Sequence, residues 1–225
     1  MIKSDGWSIY STWENSQDLQ DLYRRRCRQE EVEMTCHAQA ADMLKEIASE
    51  GDLILDIGCG GGYFYHSIKK RKMPVHYFGI DAASSLIEIG RNEMSKYGLT
   101  DKNLQQIRVE DLNGSADHIV CINVLSYCDN YHRPLERMLK MASKSVVLRE
   151  SIREKSEYSY VEDFYLDSGV TLKTSLNHYG ESEILSFIES YGYSAEIVQD
   201  IRTGGEPEIV IDHPHHWTFI RAIRK

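Results

Sequence analysis

Three aspartates and a run of glycines carry the residue types and spacing that suggest chemistry. Asp56-x-Gly58-x-Gly60-x-Gly62 sits inside LILDIGCGGGYFYHSI, residues 53–68. Glycines there let the backbone turn sharply and pass close to a ligand. A helix starting just after them offers free N–H groups and the positive end of its dipole. A pyrophosphate is the usual guest of such a turn, but Asp56 directly before it would repel one and suits a cationic or amine-bearing ligand. Asp81 closes a second apolar run, where an acid accepts hydrogen bonds from ribose hydroxyls. Asp111 follows a third, where it can meet an adenine amino group. An adenosine with a positive centre and no phosphate matches these acids better than NAD does.

The elements that must hold these residues can be read from periodicity. Apolar residues at helical spacing over 16–48 predict a helix in two pieces, stopped by Gly51. Strands are expected at 53–56, 76–81, 106–109, 118–123 and 144–149. Helices are expected at 62–71, 83–97 and 133–142, the second capped by Gly98 and the third with Pro134 in its first turn. This alternation calls for a parallel sheet with helices on both faces, and three acids at successive strand ends would then share one crevice. Residues 151–180 are tyrosine-rich and irregular. A helix at 181–191 and strands at 194–201 and 217–223 complete the chain, with 202–216 read as a long loop over the site. The fold expected is α/β: a Rossmann-like three-layer sandwich with a seven-stranded, mostly parallel sheet and an antiparallel last strand.

Bulk composition narrows the classes. With 225 residues and 41% apolar content, the chain can bury a real core as one domain, 1–225. Within it, 1–50 reads as a helical lid and 151–180 as a cap. Lys and Arg number 26 against 35 Asp and Glu, so broad nucleic-acid binding, which needs a basic face, is disfavoured. The run Arg24-Arg25-Arg26-Cys27-Arg28 reads as a solvated helix face. The five cysteines are odd in number and form no C-x-x-C pair, so neither disulfides nor a zinc site is indicated. No apolar run is long enough to span a membrane, and no signal peptide is seen. A cytoplasmic chain with reduced thiols is the expectation.

The stretches LILDIGCGGG (53–62), YFGIDAASSLIEIGR (77–91), VEDLNG (109–114) and HIVCINVLSYC (118–128) resemble the class I S-adenosylmethionine-dependent methyltransferases. The resemblance covers about 53–150. It implies S-adenosylmethionine as cofactor. Gly58, Cys59 and Gly60 would back the methionine moiety, with Asp56 on its amine side. Asp81 and Ala82 would hold the ribose, Asp111 and Leu112 would flank adenine, and Asn123 would line the methionine end. Many relatives carry His or Glu near position 127, where this chain has Ser126-Tyr127-Cys128.

Methyl transfer from a sulfonium is a direct displacement, so the protein mainly aligns donor and acceptor. A base is needed only for a protonated acceptor. Tyr10 and Trp13, with Trp7, could cover the sulfonium by cation–π contact. His178, in SLNHYGESE, and Tyr127 are the candidate acceptor-side groups. His213, His215 and His216 lack a fixed ligand spacing, so no metal is expected. The reading is a methyltransferase acting on the oxygen or nitrogen of a small molecule. No nucleic acid or membrane partner is expected, and a homodimer is allowed for. The alternatives are a non-catalytic cofactor-binding module, a nicotinamide-dependent oxidoreductase or an aminopropyl transferase on the same fold.

Overall fold

Alternating strands and helices build a central sheet whose two faces are covered by different helices. The structure is a computed structural model that describes Ile9 and residues 11–225. Two helices lead in, α1 (Gln17–Cys27) and α2 (Thr35–Ile47). Then come β1 (Leu53–Ile57), α3 (Phe64–Lys70), β2 (His76–Asp81), α4 (Ser84–Met94), β3 (Leu104–Gln106) and β4 (Ala116–Ile122). The chain continues through α5 (His132–Met141), β5 (Ala142–Arg153), β6 (Tyr160–Asp163), β7 (Leu172–Ser175), β8 (Tyr179–Gly180) and α6 (Glu181–Ser190). It ends with β9 (Tyr193–Gln199), β10 (Glu208–Val210), β11 (His213–His215) and β12 (Trp217–Arg224).

The main sheet runs β3-β2-β1-β4-β5-β12-β9, with β8 pairing the end of β5. β1 to β5 are parallel, and β12 is antiparallel to both of its neighbours. Side chains alternate across the sheet. Leu55, Ile119, Leu148 and Ile220 pack on α5 and α6, while Ile54, Val120, Val147 and Phe219 pack under α2, α3 and α4. Strand order reverses between β1 and β4, and such switch points open a crevice at the strand C-termini.

Three segments differ from expectation. The third strand lies at Leu104–Gln106, earlier than 106–109. β2 offers only Gly79–Asp81 as partners before it turns into α4, so the ladder ends where the Ile107 N–H reaches the Asp81 carbonyl. The 151–180 segment holds the β6–β7 hairpin. The 202–216 segment, read as a loop, contains a tight hairpin. Its two turn residues, Ile211 and Asp212, have φ of 47° and 59°, as a type I′ turn requires. A β-branched residue is disfavoured at such a φ, so nothing in the sequence marks that turn. Among the described residues, no helix is long and apolar enough to cross a membrane.

Candidate active site

A cavity of about 420 Å³, within the size range of small-molecule sites, opens at the switch point. Its floor is the turn after β1. Gly58 and Gly60 sit at φ of 68° and 56°, the left-handed region that favours glycine. Neither faces open space. A Cβ on Gly58 would lie 2.2 Å from a Val124 methyl, and one on Gly60 would lie 2.1 Å from the Tyr23 ring. The missing side chains therefore admit α1 and the turn after β4. The ligand wall here is bare backbone together with the edges of Tyr23 and Val124.

The acids divide. Asp56 is 5% exposed and accepts a hydrogen bond from the Tyr77 hydroxyl at 2.6 Å. Burial pushes its carboxyl up to about 7, against the pull of that hydroxyl and with help from the Asp81 charge. Asp81 accepts from the Gly60 and Ala83 N–H groups, each at 2.8 Å. Burial raises it to about 6, although those N–H groups favour its charged form. Both acids, with Cys59 and Ala82, line the cavity. Asp111 and Leu112 do not. The 3₁₀ turn Val109–Asp111 points Asp111 to solvent and leads Leu112 into the apolar core. Arg108, Val109 and Glu110 form that wall instead.

Beyond β4, Asn123 and Tyr127 line the cavity. The Trp13 and Tyr127 rings meet edge to face with centroids 5.3 Å apart. Burial drives the Tyr127 phenol well above its ordinary pKa, so it offers a ring and a hydroxyl rather than a base near neutral pH. His178 lies elsewhere. It is 3% exposed, its Nδ1 is 2.6 Å from Ser151 Oγ, and it sits behind the turn that carries Tyr127. Asn177 brings it there, bonding through its Nδ2 to the Cys128 carbonyl. Burial lowers the pKa of His178 and that of His215, whose ring centroid is 5.1 Å away. Among the described residues no group of His, Cys, Asp and Glu is placed to hold a metal ion.

The N-terminal segment reaches the cavity through Trp13. Glu14, in the 3₁₀ turn Thr12–Glu14, accepts from Ser84 Oγ at 2.9 Å and from the first N–H groups of α4. Tyr10 lies outside the described residues. Sequence reasoning missed Tyr23 and Arg26. Arg24, Arg25 and Arg28 pair outward with Asp21, Glu31 and Glu93, as a solvated face should. Arg26 turns inward. It donates to the Tyr63 hydroxyl at 3.1 Å and lies over the Tyr23 and Tyr63 rings. Among the described residues no carboxylate pairs with it. The available signal was spacing: Tyr23, Arg26 and Cys27 fall at i, i+3 and i+4, on one helix face.

Carboxylates at the ends of β1 and β2, a glycine turn and the inward-facing Arg26 guanidinium fit a ligand bearing an amine, a carboxylate and a ribose. The residues present thus fit S-adenosylmethionine. With this strand order, they are consistent with the fold and cofactor chemistry of the class I S-adenosylmethionine-dependent methyltransferases. Residues 55–148 match the family model described as a methyltransferase domain.

An uncharacterized protein of Methanocaldococcus jannaschii is 26% identical over 167 residues, covering 72% of this chain and 45% of that protein. The chain thus spans less than half of that relative. A ubiquinone biosynthesis O-methyltransferase of Coxiella burnetii is 25% identical, covering 72% of this chain and 66% of that one. The crystal structure of magnesium protoporphyrin IX methyltransferase from Synechocystis with bound S-adenosylmethionine superposes with a TM-score of 0.63. It shares 14% identity over the full length of both chains, a likeness of fold.

Proposed function

We propose that this chain binds S-adenosylmethionine and transfers its methyl group to the oxygen or nitrogen of a small-molecule acceptor. The observation that carries this reading is two acids and the Arg26 guanidinium, which meets no carboxylate among the described residues, lining one cavity around a glycine turn. Arg26 would meet the cofactor's carboxylate, Asp56 its ammonium and Asp81 its ribose hydroxyls. Arg108 to Glu110 would flank the adenine. The bound cofactor supplies an electrophilic methyl on a sulfonium.

The chain's own contribution is alignment and exclusion of water. Glu14 holds the lid segment to α4, and Trp13 and Tyr127 form the wall where an acceptor would meet the methyl group. The buried Tyr127 phenol can hydrogen-bond an acceptor oxygen or nitrogen. His178 has no direct line to the cavity, so in this reading it supports the Tyr127 turn. A small acceptor is favoured by the enclosing aromatic wall and the net charge of −9, which disfavours a polyanionic partner. The O-methyltransferase among the relatives points the same way. We place the activity in the cytoplasm.

Calorimetry with S-adenosylmethionine, S-adenosylhomocysteine and NAD tests the cofactor. Binding of the first two without NAD is expected. Binding of NAD alone would overturn the reading. A metabolite screen scored for a gain of one methylene in mass tests the transfer. Cofactor binding with no methylated product would leave a non-catalytic module.

A further inference from the structure

We propose that Arg149 and Glu150, consecutive buried charges on β5, are positioning residues that grip the turn at 123–127 from opposite faces of the sheet. This rests on the reading that the cavity holds S-adenosylmethionine. Arg149 is 1% exposed and Glu150 is 0% exposed. Strand alternation sends their side chains to opposite sides. Arg149 follows Val147 onto the α2 side, while Glu150 shares the α5 side with Leu148 and Ile152.

Both reach the same short turn. Arg149 Nη1 donates to Asn123 Oδ1 at 2.6 Å, and the Arg149 carbonyl accepts from the Asn123 N–H at 2.8 Å. Asn123 sits at φ 58°, a strained conformation for a residue with a side chain. Glu150 takes the other half. Its Oε1 accepts from the Val124 and Leu125 N–H groups at 3.0 and 2.9 Å. Its Oε2 accepts from the Ser126 N–H at 2.9 Å and the Ser126 hydroxyl at 2.8 Å. Three successive N–H groups with no strand partner thus converge on one carboxylate.

Burying two charges is costly unless each is fully bonded. Arg149 completes its set with Asp200, at 2.7 Å from Nε and 3.1 Å from Nη2, and lies 4.8 Å over the Trp217 ring. Asp200 also accepts from the Thr203 N–H and hydroxyl, which ties the turn to the segment before β10. Plain strand glue would need none of this convergence. The gripped residues are those that touch the site: Val124 against Gly58, Asn123 on the cavity wall and Tyr127 against Trp13. A shift of about 1 Å in such a wall can cost on the order of 100-fold in function.

The test compares Glu150→Gln and Arg149→Lys with the wild type in two readouts. One is S-adenosylhomocysteine affinity by calorimetry. The other is amide hydrogen exchange at 123–127, set against Val146–Leu148, without ligand. We expect affinity to fall about tenfold or more. Exchange should rise at Val124, Leu125 and Ser126 and stay unchanged within β5. Combined with Asn123→Gly, Arg149→Lys should cost less affinity than the sum of the two single losses, because both remove the Arg149–Asn123 bond. Variants that melt earlier yet bind like wild type, with turn protection intact, overturn the proposal. If wild type fails to bind S-adenosylhomocysteine, the cofactor reading falls, and the exchange pattern still decides whether the turn is gripped. If Arg149→Lys does not fold, the isosteric Glu150→Gln carries the test.

Discussion

The Tyr77 hydroxyl on β2 donates to the Asp56 carboxylate on β1 across 2.6 Å, and the acid still holds its proton up to about pH 7. Desolvation outweighs the hydrogen bond because Asp56 is 5% exposed beneath the glycine turn. The proton balance sets a direction. An aspartate in the unfolded chain ionises near ~3.9, so between about pH 4 and pH 7 the folded state binds more protons. Stability then falls as pH rises through that window and levels off above it.

The first prediction follows from that window. Asp56→Asn, which mimics the neutral acid, escapes the loss. In denaturant titrations of the ligand-free protein, the variant should gain roughly 2–4 kcal/mol on wild type between pH 4 and pH 8. It should bind S-adenosylmethionine more weakly, because a neutral amide does not answer an ammonium. Parallel pH profiles for the two proteins would refute the assignment.

Gly60 makes a second case. Alanine there must adopt φ 56° with its Cβ 2.1 Å from the Tyr23 ring. Gly60→Ala should cost about 1–3 kcal/mol, read as a lower melting temperature. Tyr23→Ala in the same chain removes the clash but not the backbone strain, so part of the loss should return. A Gly60→Ala protein that melts like wild type would show that the ring does not press on the turn.

Glu14 anchors the N-terminal segment to the first turn of α4, where a carboxylate also favours the helix dipole. Glu14→Ala should cost about 1 kcal/mol of stability. It should also speed limited proteolysis between the 3₁₀ turn and α1, and S-adenosylhomocysteine should suppress that cleavage in wild type more than in the variant. Equal cleavage in both proteins removes the anchor role.

At the opposite end of the sheet, Asp52 bonds the buried His118 at 2.9 Å and Lys144 at 2.5 Å. These donors, with the Ser49 N–H, hold its carboxyl well below the usual range despite burial. The stability it supplies is present above about pH 4 and is lost as pH falls toward its folded value. Asp52→Asn should lower the melting temperature at pH 7, by ~2–4 °C for each kcal/mol lost. The gap should close on acidification. A gap that widens below pH 4 would contradict this account.

Legibility varied residue by residue, with a common cause. Asp56 and Asp81 could be placed because each ends an apolar run beside a glycine turn, a local pattern. Asp111 could not, since β3 stops three residues after it starts and the chain rolls into a 3₁₀ turn. Its length depends on how much of β2 remains to pair with. The β10–β11 hairpin was hidden because Ile211 adopts a backbone that its own side chain resists. His178 was marked by its neighbourhood in sequence and displaced by its neighbours in space.

The sequence by itself determined the alternation of strand and helix, the glycine turn and two of the acids around it. Periodicity and turn chemistry act over a few residues, so they survive in a linear reading. Only the tertiary structure decided that Arg26 faces inward while its three neighbouring arginines face water. It also decided that Arg149 and Glu150, which follow the apolar run Val146–Leu148 in β5, converge on the turn after β4. Burial and hydrogen-bond partnership join residues distant along the chain, and a buried charge is stable only where the fold gathers its partners.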